Sequence, residues 1–205
     1  MSKLALAHPL SAPGEDAHLS HPSPEAWERL WAAYDEPTYQ DVLQAIEADD
    51  VVLEIGAGDL RLARRIAEKA RRVIAWEIQP DLLAQQAARL PENLTAVCTD
   101  ARFEPVPAGV TAAVLLMRHC QHFDLYVKTL RMSGCRRLIT NARWGLDVEV
   151  IDLQTPRRLY AAAPMGWYAC WCGQTGFKPG RVEMFTPEME TAVHEVIDCP
   201  NCREN

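Results

Sequence analysis

A chain of 205 residues with 48% hydrophobic content can bury one full α/β core but is too short for two large domains. Its net charge of −7 gives no general attraction to phosphate backbones, so composition alone favours a small-molecule acceptor or ligand over a nucleic acid. No stretch approaches the ~20 apolar residues of a membrane span, and the apolar run in residues 1–9 is too short for a secretory signal, which predicts a cytoplasmic protein.

In chain order, Pro9, Pro13, Pro22 and Pro24 stand among Ser, Gly and His, so residues 1–24 are expected to form an irregular arm. Ser23 with Pro24 behind it reads as a helix start, and Trp27, Leu30, Trp31 and Tyr34 then repeat at helical spacing. Thr38 with Asp41 resembles a capping box for a second helix carrying Tyr39, Val42, Leu43 and Ile46. The aromatics of these helices either pack on a sheet edge or form a lid with Tyr34 or Tyr39 facing a ligand.

Val51 to Ile55 is an apolar strand that breaks into Gly56-Ala57-Gly58, and Leu62, Ala63, Ile66, Ala67 and Ala70 continue as an amphipathic helix. Glycines there let the backbone turn tightly and approach a ligand, with the N–H groups of the next helix aimed at the same place. A second strand, Val73 to Glu77, ends on an acid 19 residues after Gly58. A carboxylate at that strand end is placed to hydrogen-bond a ribose diol. Asp81 is expected to cap a helix reaching Leu90, Leu94 to Cys98 to form a third strand, and Ala112 to Met117 a central strand buried on both faces. Ligands of doubly wound sheets lie beyond the carboxyl ends of the strands, so Arg118, His119, Cys120 and His122 are expected at an acceptor, as are Asn141 and Arg143 beyond the strand Leu138 to Thr140. His119, with His122 second, is a candidate general base, since imidazole titrates near neutrality; Arg118 is a candidate for orienting an anionic acceptor.

The ordered set Glu54-x-Gly56-x-Gly58, Glu77-Ile78-x-Pro80, Asn93-Leu94 and Asp100-Ala101 resembles the motifs of class I S-adenosylmethionine-dependent methyltransferases, and most of all the rRNA adenine dimethyltransferase branch. It spans roughly residues 50–118. The resemblance implies S-adenosylmethionine as cofactor, with its methionine part at Glu54, Gly56 and Gly58. Glu77 would then lie at the ribose and Asp100 and Ala101 at the adenine, with Ile78 and Met117 beside the bound cofactor. The Asn/Asp-Pro-Pro-Tyr-like motif of adenine N-methyltransferases is absent, and the chain instead reads Leu115-Leu116-Met117-Arg118-His119-Cys120-Gln121-His122.

Near the C-terminus, Cys170-Trp171-Cys172 and Cys199-Pro200-Asn201-Cys202 form two close pairs, matching the four sulfur ligands of a tetrahedral structural zinc site. Val193, Glu195 and Ile197 alternate as on a strand, so the pairing resembles a zinc ribbon. Packed thiols and a redox Cys-x-x-Cys are the competing readings, and Cys98, Cys120 and Cys135 are expected as buried thiols. The expected architecture is thus α/β: a doubly wound, Rossmann-like methyltransferase sheet with N-terminal helices and a small zinc-ribbon-like β extension. Its parts are an arm at 1–24, the methyltransferase domain at 25–160 and a zinc-binding extension at 161–205. The expected activity is methyl transfer to an N, O or S acceptor, by preference a small molecule. An RNA acceptor and a noncatalytic partner-binding protein are the alternatives.

Overall fold

The computed structural model describes residues 4–6, 34–84, 90–118, 120–143 and 147–203. Its larger sheet has seven strands, in chain order β1 (Leu4–Leu6), β2 (Val51–Ile55), β3 (Arg72–Glu77), β4 (Leu94–Cys98), β5 (Ala112–Leu115), β6 (Arg137–Thr140) and β7 (Glu149–Asp152). They lie side by side as β1-β4-β3-β2-β5-β6-β7, and every neighbouring pair is parallel except β6 with β7. The chain moves outward from β2 through β3 to β4 and then returns to β5 on the other side of β2. The strand order therefore reverses between β2 and β5, and it is beyond the carboxyl ends at such a reversal that doubly wound sheets take their ligands.

Apolar residues alternate between the two faces of the sheet. One face packs Val52, Val73, Ala75, Val114 and Ile139 against helices α1 (Glu36–Gln44) and α2 (Arg61–Ala67) through Tyr39, Val42, Leu62 and Ile66. The other packs Leu53, Ile55, Ile74, Leu115 and Leu138 with Phe123, Val127 and Leu130, which lie on a later helix, Phe123–Met132. A short helix α3 (Pro80–Ala84) follows β3, which makes the Phe123–Met132 helix α4. No helix among the described residues is long and apolar enough to cross a membrane.

Three local expectations need correction. Leu4–Leu6 pairs with Ala96–Cys98 of β4, so the arm expected to be irregular contributes an edge strand. The cap of α1 is Asp35, whose carboxylate accepts from the Thr38 N–H at 3.0 Å and from the Thr38 hydroxyl at 2.6 Å. Pro37, which has no N–H to satisfy, occupies the first turn, so the cap lies three residues before the expected Thr38. Asp81 lies inside the first turn of α3 and not before it. The helix expected after Ser23 and the continuation of α3 over residues 85–89 fall outside the described residues.

The smaller sheet is ordered β10 (Thr175–Lys178), β9 (Gly166–Cys170), β11 (Val193–Ile197) and β8 (Arg158–Leu159). β9 and β10 are an antiparallel hairpin, whereas β11 is parallel to both β9 and β8. The extension therefore begins before residue 161, because Arg158 and Leu159 hydrogen-bond beside Val196 and Ile197. Arg143 ties the two sheets together. Its guanidinium forms two-pronged pairs with Glu149 of β7 and Glu195 of β11, and its side chain is only 1% exposed. Burial works against its charge, but the bonds to both carboxylates outweigh that and hold Arg143 well above the usual arginine range. It is a structural clamp and not the cleft residue its position after β6 led one to expect.

Candidate active site

The turn after β2 is built from left-handed backbone at Gly56 (φ 75°), Gly58 (φ 55°) and Leu60 (φ 66°). The N–H groups of Gly56 and Ala57 both donate to the carbonyl of Trp76 at 2.9 Å, which bolts the turn to β3. A Cβ at Gly56 would crowd Met117 Cε at 3.2 Å, and the left-handed φ is what chiefly reserves the position for glycine. Glu77 completes the same unit. Its carboxylate accepts from Gly58 N–H at 2.7 Å and from Gln79 N–H at 2.9 Å, so glycine turn and acid are held in one rigid arrangement.

Glu54, two residues before Gly56, is buried, and its Oε2 has no hydrogen-bond partner. Burial first, then the charges of Glu77 and Asp59, push its carboxyl up to about 8. In the unfolded chain it returns to its ordinary value of 4.5, so the folded, ligand-free protein holds an extra proton between those limits. Stability is therefore expected to fall as pH rises from 4.5 to about 8 and to level off above it. Urea unfolding midpoints across that range should follow this trend, and Glu54→Gln should flatten it; an unchanged slope in the variant would remove Glu54 as its source.

Asp100 sits beyond β4 with its carboxylate bonded to the N–H and guanidinium of Arg102 at 2.7–3.0 Å. Burial raises this carboxyl, but the Arg102 bonds, with smaller help from His122, bring it below the usual range. Arg102 was not anticipated, although an Asp followed two residues later by a donor is an Asx-turn pattern. Ile78, Ala101 and Met117 are half-buried just beyond the strand ends. Just beyond β5, the Tyr34 hydroxyl donates to Leu116 O at 3.1 Å, and the Arg118 guanidinium lies 4.8 Å from the Tyr34 ring centre. Tyr39 is instead a core residue beneath Arg65. His122 is exposed just before α4, with its ring edge-on to Tyr126, while His119 lies outside the described residues. Arg118 and His122 thus have different neighbours, Tyr34 for one and Tyr126 with Asp100 for the other. Asn141 is buried at the end of β6.

The sulfurs of Cys170, Cys172, Cys199 and Cys202 all lie within 4.8 Å of one another, with close approaches of 3.5, 3.6 and 3.7 Å. A tetrahedron with Zn–S bonds of about 2.3 Å has its sulfurs roughly 3.8 Å apart, whereas a disulfide would need about 2.05 Å. The donor set therefore fits a zinc-sized thiophilic ion. The first knuckle rests on α4: a Cβ at Gly173 would meet Phe123 at 3.3 Å, and Arg131 stacks 3.4 Å from the Trp171 ring centre. Cys135 is buried, while Cys98 and Cys120 are half-buried free thiols.

The sequence profile of the ribosomal RNA adenine dimethylase family matches residues 34–127. A probable ribosomal RNA small subunit methyltransferase A from Methanosarcina mazei is 27% identical over 143 residues, which cover 58% of this chain and 52% of that protein. The chain thus spans about half the length of this relative. Among solved structures, the 23S rRNA methyltransferase ErmE is 22% identical with a TM-score of 0.45, covering 52% of this chain and 46% of its own. A dimethyladenosine transferase from Plasmodium falciparum is 16% identical with a TM-score of 0.44, covering 52% of this chain and 41% of its own.

Proposed function

We propose, from the premise that this chain is a class I S-adenosylmethionine-dependent methyltransferase related to the ribosomal RNA adenine dimethylase branch, that it transfers a methyl group to RNA. One observation carries the choice of acceptor. The net charge of −7, which by itself favoured a small molecule, is unevenly spread: residues 51–143 hold fourteen Lys and Arg against nine Asp and Glu. Arg65, Arg137 and Arg143 of this segment pair with acids of the flanking segments, and the exposed Arg118 just beyond β5 is the cation that would meet a phosphate backbone. The relatives' names point to the same acceptor.

The bound cofactor supplies an already activated methyl group, so the chain's task is alignment. Glu77, fixed by two backbone N–H groups, would take the ribose hydroxyls. The glycine turn at Gly56 and Gly58 would admit the methionine part, and the unpartnered Glu54 oxygen would face its cationic groups. Asp100, Ala101 and Ile78 would border the adenine, with Met117 beside the turn. Arg118 would orient the acceptor, and His119, or in second place His122, would receive its proton. The four cysteines would hold one zinc ion with no open coordination position, a structural role that keeps the extension against α4.

Transfer of labelled methyl from S-adenosylmethionine to RNA, against a pool of small metabolites, tests the acceptor; label found only in dialysable product would refute RNA. Glu77→Ala tests the cofactor site. Loss of a charged hydrogen-bonding group is expected to weaken binding by about 1.5–3 kcal/mol, roughly 10- to 150-fold. Calorimetric titration with the cofactor and its demethylated product measures it, and wild-type affinity would overturn the assignment.

A further inference from the structure

Asn141 is completely buried, yet neither its amide nitrogen nor its amide oxygen has a hydrogen-bond partner. Buried polar groups are nearly always paired, so an amide open at both ends is a standing cost to the ligand-free fold. Its place in the sheet gives that cost a use. Thr140 stands opposite Leu115, Glu54 opposite Val114 and Ile55 opposite Trp76. Continuing these registers, Asn141 is level with Leu116, Gly56 and Glu77 along the carboxyl edge of the sheet. Alternation puts Asn141 on the face of Ile139, whose row across the sheet runs through Val114, Glu54 and Ala75. The orphan carboxyl oxygen of Glu54 and the orphan amide of Asn141 thus share one face, on β2 and on β6, with β5 between them.

In the sheet register, the neighbour of Asn141 is the start of the segment that leaves β5. The carbonyl of Leu116, its neighbour on β5, takes the Tyr34 hydroxyl, and Arg118 stacks on that ring. The segment 115–122 after β5 contains no Asn or Asp, so β5 itself brings no such short polar side chain to the acceptor. We infer that Asn141, from the next strand, reads the acceptor. Its amide pairs with a nucleobase edge that presents a donor beside an acceptor. An anion would match only the amide N–H groups and an aliphatic acceptor would match neither, whereas a base edge satisfies both; the zwitterionic methionine end of the cofactor would also satisfy both, and a loss of product affinity in the Asn141 variants would assign the amide to it and overturn the inference. Closed to water before the base enters, the amide has no competing partner. This assignment rests on the RNA reading above and deepens it.

The test replaces Asn141 with leucine, which removes both polar atoms at similar volume, and with alanine, which removes them without adding bulk. Four quantities are compared with wild type: the thermal midpoint, affinity for the demethylated cofactor product, methyl transfer to RNA, and binding of adenosine monophosphate to the product-loaded protein. Asn141→Leu is expected to keep or raise the midpoint, because an unpaired amide is lost, and to leave product affinity unchanged. Transfer to RNA should fall ~10- to 100-fold in kcat/KM in both variants, the value of one two-pronged base contact, with nucleotide binding lost. A lowered midpoint in both variants with unaltered RNA transfer would make Asn141 a packing residue and overturn the inference, as would unchanged nucleotide binding. A wild type that binds the nucleotide through Asn141 but methylates no RNA would sink the RNA reading and leave this assignment standing.

Discussion

Substitution of Cys199 by serine is expected to strip the proposed metal from the protein and unravel the smaller sheet. Cys199 is fully buried, with its sulfur 3.5 Å from that of Cys172 and 3.7 Å from that of Cys202, so a weaker oxygen ligand there has no way to relax toward solvent. Closed thiolate sites bind zinc with an apparent free energy of about 10–16 kcal/mol near neutral pH, and since the unfolded chain lacks the site, that energy belongs to folding. The cluster of Ala163, Tyr168, Cys170, Val196 and Cys199 is too small to hold four strands on its own. Metal content per chain and hydrogen-exchange protection over residues 166–197 should fall together in the variant. Metal-free wild type with full protection would refute a structural ion.

Replacing Arg143 with alanine should lower the unfolding free energy by about 3 kcal/mol, the lower end of the range for breaking a buried ion pair, because Glu195 is partly exposed. Glu149 and Glu195 would be left facing each other, with only the nearby Arg157 at 3.3 Å to offset Glu195. Lysine cannot substitute well, since a single ammonium does not reproduce two forked pairs. Urea denaturation measures the loss, while cofactor affinity of the folded variant should be unchanged. Weakened cofactor binding with intact stability would return Arg143 to the cleft.

What could be read from the chain divides by distance. The strand, glycine turn, helix and acid from Val51 to Glu77 are local periodicity and local turn chemistry, and the sheet is built on them. The two cysteine pairs were legible because each knuckle is a few residues long. The cap of α1 was misplaced by three residues because Thr38 and Asp35 offer the same chemistry, and only the position of Pro37 decides between them. Pairings far apart in sequence left no local mark. Nothing near Leu4 announces β4, nothing near Arg158 announces β11, and Arg143 meets Glu195 across 52 positions. The open amide of Asn141 is less legible still, since it is defined by partners that are missing.

Trp171 stands between two of the four thiols, stacked by Arg131, with its indole N–H buried and unbonded. That placement turns the knuckle into an optical gauge. If the proposed ion binds at Cys170 and Cys172, its loading or loss is expected to alter the setting of this ring against the guanidinium, so that its fluorescence colour and yield follow occupancy. The other five tryptophans can be exchanged for phenylalanine to isolate the signal, leaving a protein that reports its own metal content without dye or label.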